Sequence, residues 1–214
     1  MKRLILVIAV ATLFSCNNNE NKTPATNIKD SVVTKKTNTD DNPTQEKILE
    51  NEFKNFITVL TSKDKDKIKQ LFKFPVADSI LNIYLDYAHT ISDAKGVITE
   101  EAFLKNFDKV CKFWMVDEFA SSFKAMQLDS LSQGKEIFYE EPSDKIQPCY
   151  KHCSLIFKND ILHFTYGINR NPNFNNKVKP GNGEDENVCD ETSIIWEFKF
   201  DGKKLVFIRQ LAAG

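Results

Sequence analysis

The chain has no excess of charge of either sign. Its 214 residues carry 29 Lys and Arg against 30 Asp and Glu, for a formal net charge of −1. A nucleic-acid partner held by phosphate neutralisation calls for a net basic surface, so that class is excluded. The chain also lacks an apolar run of roughly 20 residues, the length a helix needs to cross a bilayer. Signatures of catalysis and metal binding are missing too. His89, His152 and His163 have no Ser or Cys beside them in a local nucleophile pattern. The acidic stretch at 181–187 carries three carboxylates after two glycines but not the spacing of a calcium loop. No cofactor and no metal is expected. What the chain does have is phenylalanine, 17 residues of it, in a composition that is 41% hydrophobic and 28% charged. That is an ordinary globular balance, with enough rings for an aromatic core or an aromatic-walled cavity.

The first sixteen residues read as an address. Met1-Lys2-Arg3 is basic, and Leu4 to Phe14 is an apolar run of eleven residues that includes Thr12. A run of that length suits the central region of a secretory signal and is too short for a span. Leu13-Phe14-Ser15-Cys16 resembles the lipobox of bacterial lipoproteins. That resemblance implies cleavage after residue 15 and a lipid on Cys16, which becomes the first residue of the mature chain. Two or three acyl chains hold a protein on a membrane stably, whereas one does so only marginally. It also implies an envelope location, facing the periplasm or the surface, and Asn17 is not the Asp that retains many lipoproteins at the inner membrane. Residues 17–44 contain seven Asn and six Thr, with four Lys balanced by Glu20, Asp30, Asp40 and Asp41. Such a segment buries too little to offset its ordering entropy and is expected to serve as a disordered tether. Residues 45–214 are expected to form one domain.

Helices come first in that domain. Asn42 as cap, Pro43 in the first turn and Gln45 three residues on predict a helix over 44–61, with Ile48, Leu49, Phe53, Phe56, Ile57 and Leu60 on one stripe. Asp64 and Asp66 predict a short second helix that Pro75 stops. Residues 78–91 read equally as helix or strand. Thr99, Glu100 and Glu101 open a third helix, with Ile98 and Phe103 placed to staple its start. Residues 117–127 suggest another turn or two.

Strands follow. Residues 135–141, 150–157, 161–168, 192–200 and 204–211 are rich in β-formers. Two-residue turns at Asn159-Asp160 and Asp201-Gly202 would fix the register of two hairpins. The first then pairs Phe157 with Leu162, Leu155 with Phe164 and Cys153 with Tyr166. The second pairs Phe198 with Leu205, Trp196 with Phe207 and Ile194 with Arg209. All these residues fall on one face, because a one-residue slip would exchange the faces. The other face carries His152, Ser154, Thr165, Glu197, Lys199 and Lys204, with Ile156, Ile195, Val206 and Ile208 as apolar exceptions. Those exceptions suggest that part of this outer face is covered, for instance in a homodimer.

Helices followed by antiparallel strands define an α+β fold. In element order, in the Phe74-Pro75 stop and in the closing pair Trp196–Leu211, residues 45–212 resemble the nuclear-transport-factor-2-like (NTF2-like) superfamily. The resemblance implies N-terminal helices packed into a curved antiparallel sheet, a cone with an internal pocket. Leu155, Phe164, Tyr166, Trp196 and Phe207 would line that pocket, and Arg209, the one charge on the aromatic face, would meet an anionic group at its mouth or snorkel to solvent.

Four cysteines remain besides Cys16. Cys149 and Cys153 lie about 13 Å apart along one strand, beyond the reach of a disulfide. The register favours Cys149–Cys189, leaving Cys153 as a buried thiol or a partner for Cys111. A metal or redox site at 149–153 with His152 is the sharper alternative, but alternation points His152 away from Cys153. All three His are expected to be solvated. Two functions fit: a non-catalytic tethered domain that binds a small apolar ligand or a protein, and an enzyme of the isomerase or cyclase kind. The second needs Asp78, Asp86 or Asp117 as a base and Tyr139, Tyr150 or Tyr166 as a donor. No carboxylate falls on the inward register of the strands, which favours the first.

Overall fold

A computed structural model describes residues 43–86, 89–142, 147–174 and 189–214. The segment that resembles a lipobox, with Cys16, the expected tether through residue 42 and the acidic stretch 181–187 lie outside them. The described chain is α+β: five helices and a five-stranded antiparallel sheet, with two small two-stranded pairings before it.

Helix α1 (Gln45–Ser62) opens one residue later than the sequence suggests, and its cap lies two residues later. Thr44 is the cap, its Oγ1 accepting from the Lys47 amide, and Pro43 precedes the helix instead of opening it. Leu49, Phe53, Phe56 and Leu60 are its buried stripe. Asp64 caps the short α2 (Lys65–Lys69) through the amides of Asp66 and Lys67. Among the described residues of the ambiguous stretch there is no helix: 78–80 form a turn, and Tyr84–Asp86 and His89–Thr90 are strands. Strands β1 (Val76–Ala77) and β4 (Val97–Ile98) pair, and β2 (Tyr84–Asp86) pairs with β3 (His89–Thr90). The third helix breaks into α3 (Glu100–Lys105) and α4 (Phe107–Phe113) at Asn106, whose amide side chain donates to the Ala102 carbonyl. Thr99 caps α3 as its sequence indicates, and Ile98 and Phe103 are both buried. Helix α5 (Val116–Ala125) presents Val116, Phe119 and Phe123 to the core.

The sheet is a meander in chain order: β5 (Glu136–Glu140), β6 (Cys149–Lys158), β7 (Ile161–Arg170), β8 (Thr192–Phe200) and β9 (Leu205–Ala213). The first hairpin has the expected register. Asn159 and Asp160 both take positive φ, 54° and 59°, which is what a two-residue turn between right-twisted strands demands. Phe157–Leu162, Leu155–Phe164 and Cys153–Tyr166 are paired.

The second hairpin differs, and the cause is local. Its loop is four residues long, Asp201–Lys204, so Phe200 pairs with Leu205 and Phe198 with Phe207. The Asp201 carboxylate accepts from the amides of Lys203 and Lys204 at 2.8 Å each, and these bonds hold the carboxyl below its ordinary pKa. This ring of bonds stabilises a wider turn than Asp-Gly alone would make. A bulge follows on β9: Glu197 pairs with Arg209, leaving Ile208 as an extra residue. The bulge reverses the alternation of the strand. Phe207 faces the helices, Ile208 and Arg209 face away, and Gln210 faces inwards, fully buried.

Candidate functional site: the two faces of the sheet

The inner face is where the sequence places a pocket. Leu155, Phe164 and Trp196 stand side by side across β6, β7 and β8, and each is fully buried. Tyr166 is equally buried, and Phe207 is partly buried against the same core. Helix rings meet them. The Trp196 ring lies 5.0 Å from Trp114 and 5.2 Å from Phe56, Phe164 lies 5.0 Å from Phe53 and 5.3 Å from Phe123, and Tyr166 lies 4.8 Å from Phe123. Most of these contacts are edge-to-face, the arrangement that ring quadrupoles prefer. The clefts described lie elsewhere. One of about 450 Å³ is lined by Glu141, Pro142, Tyr150 and Ile168, and one of about 490 Å³ by Lys63, Cys111, Met115 and Asp117. None of Leu155, Phe164, Tyr166, Trp196, Phe207 and Arg209 lines a described cleft.

Arg209 is not on this face, which corrects the expected placement. The bulge at Ile208 sends it outwards, where its Nε and Nη2 donate to Glu197 at 2.6 and 3.0 Å. Arg209 holds the Glu197 carboxyl below its usual value, with His163 3.5 Å away adding to the effect. The residue that replaces Arg209 on the inner face is Gln210. Its Oε1 accepts from Trp114 Nε1 at 3.3 Å, and its Nε2 donates to the Leu211 carbonyl at 2.7 Å. The Tyr166 hydroxyl donates to the Trp114 carbonyl at 2.8 Å. These bonds satisfy polar groups that would otherwise be costly inside a ring cluster. Burial pushes the Tyr166 phenol far above its ordinary pKa, so it stays protonated.

The acids of the enzyme reading are scattered. Asp117 is exposed and ion-paired to Lys63 at 2.9 Å. Asp78 accepts from the Ser92 hydroxyl at 3.2 Å. The side chain of Asp86 falls outside the described ones. Among the described residues Glu50 is the buried carboxylate, and it is clamped by Lys54 and Lys47 on its own helix, which keep its pKa low. Among the described residues, no carboxylate is hydrogen-bonded to a Tyr hydroxyl.

Cys149 and Cys189 form a disulfide with a Cα–Cα distance of 5.5 Å, tying the start of β6 to the segment that enters β8. Cys111 and Cys153 are free and buried, so they are not paired with each other. Burial pushes their thiols up to about 11 and about 12, which makes both poor nucleophiles at neutral pH.

The outer face has its own order. His163 is paired with Ile156 across the strands and sits 3.5 Å from Glu197. His152 is not solvated as expected: only 8% of it is exposed. It lies across from Gly167, with the Phe138 and Tyr150 rings each 6.3 Å away, and its Nδ1 has no hydrogen-bond partner among the described residues. Burial lowers its pKa, against the opposing pull of Glu140 and the Gly167 carbonyl. Gly167 is required there, since a Cβ would stand 2.1 Å from the Thr192 carbonyl oxygen. Phe138, Val206 and Ile208 are exposed on this face, Phe138 by 53%. Compared with protein-family models, curated proteins and solved structures, the chain matches none.

Proposed function

We propose that this chain is a lipid-anchored envelope protein whose folded part, residues 45–214, is a non-catalytic docking domain of NTF2-like architecture. Its lipobox at 13–16 would supply the anchor through Cys16, residues 16–44 the tether, and the outer face of the sheet the binding surface for a protein. One observation carries the choice of a protein over a small ligand. The inner aromatic face is packed against helix rings, while the opposite face leaves Phe138, Val206 and Ile208 in water. Apolar side chains left exposed on both edge strands of one sheet face are what a partner would cover. The scattered acids and the high pKa values of the buried thiols support a non-catalytic role.

Two measurements test this. Labelling cells with a radioactive fatty acid is expected to mark the wild-type chain and not Cys16→Ser. Hydroxyl-radical footprinting is expected to label Phe138, Ile195 and Leu211 less in intact envelopes than in dilute purified protein. Equal labelling in both settings would reject the docking face.

A further inference from the structure

The two edges of the sheet are finished differently. At the β9 edge, Gln210 donates its backbone amide to the Ile80 carbonyl at 2.7 Å, and its carbonyl accepts from the Asn82 amide at 3.4 Å. A bulge also breaks the line of that strand. Such devices keep an edge from pairing further. Among the described residues, strand β5 has neither. It runs without a register shift from Glu136 to Glu140 and contains no proline. The Glu141 amide donates to the Lys151 carbonyl. By the alternation of an antiparallel ladder, Ile137 and Tyr139 therefore bond β6, while Glu136, Phe138 and Glu140 turn their backbone groups to the open side. Nothing among the described residues bonds those three amides and three carbonyls. All three side chains are exposed on the outer face. Phe138 heads an uncharged row that continues through Ser154, Thr165, Ile195 and Leu211, and a carboxylate of β5 stands on either side of it.

An open edge is a template for one more strand, and the chain carries a segment that matches it. We infer that residues 31–35, Ser-Val-Val-Thr-Lys, add to β5 as a sixth, antiparallel strand. Val32-Val33 is the one adjacent pair of apolar residues in 17–42, and β-branched Val and Thr favour a strand. Lys35, Val33 and Ser31 then stand opposite Glu136, Phe138 and Glu140. The three pairs are an ion pair, an apolar pair and a hydroxyl beside a carboxylate. A slip of one residue in one direction sets Asp30 against Glu140. A slip in the other takes Val33 off Phe138 and puts Val32 beside Glu140. Charge and pleat thus select the same register. Direction and reach agree with it. Gln45 and Glu46, at the start of α1, share a cleft with Gln133, three residues before Glu136. A chain that reaches this cleft from Lys35 runs opposite to β5. The eight residues from Lys35 to Pro43 span up to about 26 Å, whereas Gln133 and Glu136 are at most about 11 Å apart. With Cys16 as the anchor, a consequence that rests on the lipid reading, the free tether shrinks from the 28 residues 17–44 to the 14 residues 17–30. Its average reach falls from about 30 Å to about 20 Å. The strand itself needs no lipid.

Hydrogen exchange of the full chain, resolved by residue, reads the added strand. The amides of Glu136, Phe138 and Glu140 are expected to exchange about tenfold or more slower in wild type than in Val32→Gly/Val33→Gly. The amides of β7, at the centre of the sheet, should not differ between the two, which checks that the fold is kept. Lys35→Glu should lose most of the protection, and adding Glu136→Lys should restore it. Cys16→Ser should keep it, which separates this test from that of the lipid anchor. Equal exchange of the three β5 amides in wild type and Val32→Gly/Val33→Gly would overturn the inference. A Lys35→Glu loss that Glu136→Lys does not restore would overturn the register.

Discussion

Tyr166 spans sheet and helices by one hydrogen bond, from its hydroxyl to the Trp114 carbonyl. Tyr166→Phe keeps the ring packing and strands that carbonyl, so it should cost about 1–3 kcal/mol in urea unfolding. His152 is the second residue with a consequence of its own. Its folded pKa lies below the ordinary value because burial disfavours the cation. The unfolded chain therefore binds the proton more readily. The neutral imidazole's contribution is fully present above about pH 6.5 and is lost as pH falls through the folded value. Unfolding curves at pH 8 and pH 5.5 should show a larger drop for wild type than for His152→Gln. An equal drop would mean that the imidazole does not feel its burial.

Elements differ in how far local chemistry decides them. The Asn159-Asp160 turn permits one tight geometry, so the register of β6 on β7 is legible from residues alone. The loop after β8 offers two. Asp201 with Gly202 can make a tight turn, but the carboxylate instead captures the amides of Lys203 and Lys204. That choice, with the bulge at Ile208, moves Arg209 off the aromatic face and puts Gln210 there. No periodicity reports a bulge in advance, because the extra residue is as apolar as its neighbours. His152 was hidden for another reason: strand alternation gives its face correctly, but not the rings of Phe138 and Tyr150 that shield it. Asp201→Ala should destabilise the β8–β9 hairpin, seen as faster hydrogen exchange in Leu205–Ala213 than in β6 and β7. At the other end of the sheet, the disulfide closes a segment with a sequence separation of 40. Chain entropy puts its loss at about 4 kcal/mol, so Cys149→Ser should lower the thermal midpoint by several degrees or more.

At the scale of the whole molecule, the sheet divides the chain's apolar material in two. Helix rings cover one side and close it. The other side keeps an uncharged row between flanking rows that carry charge. The division explains why 17 Phe residues do not imply a cavity: many of them are needed to fill the space between α1, α3, α5 and the strands. Neighbouring residues on β8 read the two sides separately, since Ile195 points out and Trp196 points in. The most direct measurement is therefore the urea stability of Trp196→Ala and Ile195→Thr in dilute solution. Trp196→Ala should lose about 3–5 kcal/mol as a truncated core ring, and Ile195→Thr less than about 1 kcal/mol. Equal losses for the two, or a larger one for Ile195→Thr, would contradict a sheet with one packed and one open face.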